Sequence, residues 1–159
     1  MNIYNYKKDD DDDIKDDEAK ELIDKLINTL ETEKYEDLME LTFSKIKSIK
    51  NDILQQLQLS REEIKLYHKK LKEYRYIDEV NELKIGNYIR ALNLKDPENI
   101  KLNNGGIIVD IEVINSSIII RCKNFKNIIF NIKFEENLIF QKFNNDEYLI
   151  LSILSKIQK

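Results

Sequence analysis

Side chains able to do chemistry are few in this chain. There is one histidine, His68, and one cysteine, Cys122. Zinc sites of the usual Cys and His sets therefore cannot form within one chain. A Cys–His nucleophile pair would have to join Cys122, at an inward position of an expected strand, to His68 on an expected helix. The reading favours Cys122 as a small buried hydrophobe. The glycine pair Gly105-Gly106 opens a strand and is followed by no Lys-Ser or Lys-Thr, so it is read as a tight turn rather than a phosphate loop. Carboxylates are abundant but follow an ordinary helix-surface pattern. No catalytic, cofactor or metal-ligating residue is assigned, and the chain is expected not to be an enzyme or to take a small-molecule substrate.

Two charged features remain. The run Asp9 to Asp13 lacks the alternating ligands, sixth-position Gly and twelfth-position Glu of an EF-hand loop. It reads as an acidic, self-repelling tail over residues 1–15. The second feature lies over residues 61–75. At 100° per residue, Arg61, Lys65, Lys69 and Lys72 share one face and Ile64, Tyr67, Leu71 and Tyr74 another, with His68 between. The basic stripe, together with outward Arg121 and Lys123, is a candidate nucleic-acid or anion contact.

The full chain has 159 residues and a formal charge of −4, from 26 Lys plus Arg against 30 Asp plus Glu. That average is uneven. Residues 1–18 hold three lysines against seven aspartates and Glu18, a net of −5, which leaves the remainder at about +1. No apolar run approaches the roughly eighteen residues of a membrane span, and no signal-peptide pattern is seen. With a single cysteine, the expectation is an intracellular, cytoplasmic protein without membrane contact.

All three glycines and the only proline lie beyond residue 85. The unpunctuated first half carries helical periods. Ala19, Leu22, Ile23, Leu26, Ile27 and Leu30 predict an amphipathic helix over 16–31. Tyr35, Met39, Thr42, Ile46, Ile49, Ile53 and Gln56 then step by fours and threes, a coiled-coil-like seam over 35–57. Its Tyr35, Met39, Ile46, Ile49 and Ile53 are the candidate self-association residues. Ser60-Arg61-Glu62-Glu63 has the form of a capping box and starts the helix that bears the basic stripe.

Beyond residue 86 the period becomes two. Ile107, Val109, Ile111 and Val113 are expected on one face with Asp110 and Glu112 on the other, and Ile118, Ile120 and Cys122 inward with Arg121 and Lys123 outward. An even-numbered turn at Asn115-Ser116-Ser117 would set the acidic pair across from the basic pair. Further strands are expected at 128–134, 87–93 and 138–143, and Asn144 caps a closing helix. The class is α+β: an N-terminal helical arm (16–75), then a small SH3-like antiparallel β-barrel closed by a C-terminal helix (76–159).

The segments Tyr74-Arg75-Tyr76-Ile77, Gly86-Asn87-Tyr88-Ile89-Arg90, Gly105-Gly106-Ile107-Ile108 and Leu138-Ile139-Phe140-Gln141-Lys142 resemble small uncharacterised proteins of large double-stranded DNA viruses of algae and amoebae. The resemblance covers the C-terminal half and brings no catalytic residues. It implies a viral protein of the host cytoplasm or the virion. The functional expectation is a non-catalytic, homo-oligomeric structural or adaptor protein, self-associating through the helical arm and binding partners through the β domain. The alternative is a DNA- or RNA-binding module with an autoinhibitory acidic tail.

Overall fold

Local capping chemistry sets the helix starts in this computed structural model, which describes residues 32–157 together with Glu18, Lys20, Glu21, Leu22, Asp24 and Lys25. Those six positions are helical. The rest of the helix expected over 16–31, and the aspartate run, lie outside the described residues. The chain divides into two compact units, residues 1–46 with 144–159, and residues 47–143.

In the first unit, a 3-10 segment spans Thr32–Leu38 and helix α1 begins at Phe43 (Phe43–Gln55). The continuous helix expected over 35–57 is therefore broken. Thr42 Oγ1 accepts the amide of Lys45 at 3.2 Å, so a hydroxyl side chain satisfies an amide of the new first turn and starts α1 afresh. Helix α2 (Arg61–Lys70) belongs to the other unit. Helix α3 (Asn145–Ile157) starts where expected: Asn144 Oδ1 accepts the Glu147 amide at 2.8 Å, and the Glu147 carboxylate accepts the Asn144 amide at 3.2 Å. The Tyr35 hydroxyl donates to Asp146 at 3.2 Å, the Phe43 amide donates to Ser155 Oγ at 3.0 Å, and the Phe43 and Tyr148 rings lie 5.2 Å apart.

The second unit is built on six antiparallel strands: β1 (Tyr74–Ile77), β2 (Tyr88–Asn93), β3 (Gly106–Ile114), β4 (Ser117–Lys123), β5 (Ile129–Lys133) and β6 (Asn137–Lys142). Their order is β1-β6-β2-β3-β4-β5. The sheet is open, and this overturns the expected SH3-like barrel. In a barrel the two outer strands bond each other; here, among the described residues, β1 pairs only with β6, and β5 only with β4. The unforeseen strand is β1, whose Tyr-Arg-Tyr-Ile stretch had been absorbed into the end of the preceding helix.

Register sorts the side chains into two layers. Ile77, Ile89, Ala91, Ile108, Ile120, Cys122, Ile132 and Ile139 form one cluster with Leu83, covered by Val80 and Phe134 from short 3-10 segments rather than by closing backbone bonds. On the other side Leu54 of α1 and Tyr67 and Leu71 of α2 pack on Tyr74, Leu92, Ile100 and Phe140. Burying each such aliphatic or aromatic group fully stabilises the fold by roughly 1.5–3 kcal/mol.

The β3–β4 hairpin turns through two residues, Asn115 (φ 50°) and Ser116 (φ 66°), which matches the even-numbered turn. The alternation along β3 is corrected. An irregularity between Ile108 and Asp110 shifts the register, so Ile108 is buried while Ile107 and Val109 face solvent. Asp110 still lies across from Arg121, but Lys123 lies across from Ile107.

Candidate functional site

The only thiol is inert. Cys122 is fully buried in the isoleucine layer, and burial pushes its pKa up to about 12. His68 belongs to α2, which packs through Tyr67 and Leu71 on the opposite face of the sheet, so the fold separates the two residues. His68 Nε2 lies 3.0 Å from Asn51 Oδ1; burial first, then the charges of Lys50 and Lys47, lower its pKa.

Lys50 is a residue that the periodicity did not single out. It is 4 % exposed, and its Nζ donates to the Leu71 carbonyl at 2.7 Å, at the negative end of α2. Burial, and secondarily Lys47, lower its pKa to about 8. A signal existed in the sequence: Ile46, Lys50 and Leu54 stand at spacings of four, and all three are buried. The arrangement holds α1 to the end of α2.

The basic stripe is present but not enlarged by the sheet. Arg61, Lys65, Lys69 and Lys72 are all exposed, and no carboxylate among the described residues pairs with them. Lys72 lies just beyond the helix end. Arg121 is held by Glu112 at 3.2 Å and Asp110 at 3.6 Å, so its charge is answered within the hairpin. Lys123 is exposed at the end of β4.

Of the candidate self-association residues, Tyr35 and Ile46 are buried within the chain, Met39 is half-buried, and Ile53 packs against the helix-covered core. Ile49 is exposed. The apolar surface of the seam is thus largely used internally.

Exposed apolar groups concentrate elsewhere. Ile107, Val109, Val113, Ile114, Phe125, Ile128 and Ile129 are all exposed and all lie on β3, the β4–β5 turn or β5. Phe125 is 78 % exposed on a turn that is held in shape. Asn124 Oδ1 accepts the amides of Lys126 (2.9 Å) and Ile128 (3.0 Å), while the Asn124 amide donates to the Ile128 carbonyl at 3.0 Å. Asn127 takes positive φ to complete it. Lys126 Nζ stands 5.7 Å from the Phe125 ring centroid. An exposed aromatic beside a cation, on a turn whose backbone is already held, is a contact group whose backbone needs little ordering on binding.

Comparison with family models, with curated proteins and with solved structures finds no match. Among the described residues no helix is long and apolar enough to cross a membrane.

Proposed function

We propose that this chain is a non-catalytic adaptor whose β domain docks a protein partner on the β3–β5 half of its sheet. The observation that carries the reading is the distribution of apolar exposure. The β1-β6-β2 half is covered by α1 and α2, whereas seven exposed aliphatic or aromatic side chains gather between residues 107 and 129. Singly scattered apolar residues need no explanation, but seven within one hairpin, the turn after it and the start of β5 support an interaction surface there. The polar residues between them, Asp110, Glu112 and Arg121, are paired with one another and so can be covered without leaving a lone charge.

The test is affinity capture from the native cell with nuclease treatment, comparing wild type with Val113→Asp and with Lys65→Glu/Lys69→Glu. The adaptor reading expects nuclease-resistant partners lost only with Val113→Asp. Partners that vanish with nuclease, or only with the lysine changes, favour the nucleic-acid module that the basic α2 stripe supports.

A further inference from the structure

Among the described residues, no strand lies against the outer edge of β5. Antiparallel pairs alternate between bonded and non-bonded positions, and the Asn124–Ile128 pair at the turn is a bonded one. Counting along the register from there, Phe130 and Ile132 bond β4, and Ile129, Asn131 and Lys133 direct their backbone groups outward. The edge carries no proline, no bulge and no inward-pointing charge, and its one lysine, Lys133, is met by Glu136.

Its charge is also directional. Lys123 and Lys126 stand where the chain enters β5, and among the described residues no carboxylate pairs with either. Glu135 and Glu136 stand where it leaves. Glu135 is exposed and uses one oxygen to accept the Ile118 amide at 2.8 Å, while Glu136 meets Lys95 and Lys133. Such an edge is complementary to itself reversed. With Glu136 already met by Lys95 and Lys133, antiparallel pairing sets Lys126 of one strand against Glu135 of the other, whereas parallel pairing sets like against like.

We propose that β5 pairs antiparallel with β5 of a second copy of this chain, about a two-fold axis at Asn131. Asn131 then faces its own copy and Ile129 faces Lys133. The outward backbone groups of all three residues are satisfied in an isologous contact. Phe125, Ile128 and Ile129, exposed at the lysine end, lie along the partner's departing segment. The inference is separate from the docking reading above, and it moves self-association from the 35–57 seam to the sheet edge.

Sedimentation velocity on the full chain between roughly 1 and 200 µM tests it. Wild type is expected to pass from monomer to dimer. Asn131→Pro removes an outward N–H without touching the β4 ladder, and is expected to weaken dimerisation by at least roughly tenfold with the circular dichroism unchanged. Lys126→Glu and Glu135→Lys should each weaken it alone and restore it when mixed. A wild type that stays monomeric overturns the proposal. So does a dimer that survives Asn131→Pro and is lost with Ile49→Glu, or an Asn131→Pro change that costs only a foreign partner. Should Asn131→Pro fail to fold, the mixing experiment decides alone: no restoration refutes the pairing. None of these results alters the Val113→Asp capture outcome, so the two readings fail separately.

Discussion

Replacing Lys50 by Met should change how stability depends on pH, with a sign fixed by the burial of one ammonium. In the unfolded chain Lys50 titrates near 10.5; in the fold, burial and secondarily Lys47 bring it to about 8. Below pH 8 it is charged in both states, and the full cost of burying the charge is present. Between 8 and 10.5 the unfolded chain holds a proton that the native state has released, so stability rises with pH. Above 10.5 the cost is gone. At roughly 1.4 kcal/mol per decade, that interval corresponds to about 3 kcal/mol. Cys122 and Tyr74 act in the opposite direction. Burial raises both to about 12, so stability falls as their unfolded forms ionise from 9 and 10 upward. That loss is common to both proteins and cancels in the difference. Urea unfolding of wild type and Lys50→Met at pH 7, 8, 9 and 10 reads it directly: the wild-type advantage should grow by about 2 kcal/mol across the series. Burial, and secondarily Lys50 and Lys47, lower the His68 pKa from 6.5, so its titration lies below this range. Parallel curves for the two proteins would refute the reasoning, because they would mean that the Lys50 ammonium stays hydrated in the fold.

Two backbone positions give predictions of opposite sign. Gly105 has φ 78°, and a Cβ there would strike the Ile89 carbonyl, so Gly105→Ala should cost about 3 kcal/mol or more in urea unfolding, if the protein folds at all. Ser116 sits at φ 66° in the two-residue β3–β4 turn, so Ser116→Gly should raise stability by about 0.5–1 kcal/mol, read as a higher melting temperature.

Local chemistry was the most legible level. The Ser60 capping box, the Asn144 cap and the even-numbered hairpin turn all act within a few residues, and each appears as expected. Alternation on β4 was equally readable, because Ile120 and Cys122 contrast with Arg121 and Lys123. It failed on β3, where Ile107, Ile108 and Val109 are apolar at both parities, so nothing in the pattern marks which of them enters the core. β1 was hidden because Arg75 reads as a surface helix residue. In the fold it is buried, 3 % exposed, and its charge is met by Glu82 at 3.2 Å, seven residues on. The seam of Tyr35 and Ile46 misled for a related reason. Periodicity reports that a face is covered, and says nothing of whether the covering belongs to the same molecule.

The strand order has a consequence for synthesis. β6, made after the other five strands, lies between β1 and β2, with Ile77 opposite Ile139 and Leu92 opposite Leu138. Until residues 137–142 leave the ribosome, β1 has no neighbour, and Leu54, Tyr67 and Leu71 have no Phe140 to close on. At about 5–20 residues per second the helices and the β3–β4 hairpin can form as they emerge. The sheet that joins the helical layer to the isoleucine layer must wait for residues 137–142. Joining of the two layers therefore follows the pairing of β2 to β5, and a ribosome stalled before residue 137 would hold a chain whose two sheet layers both lack their β6 residues, Ile139 and Phe140.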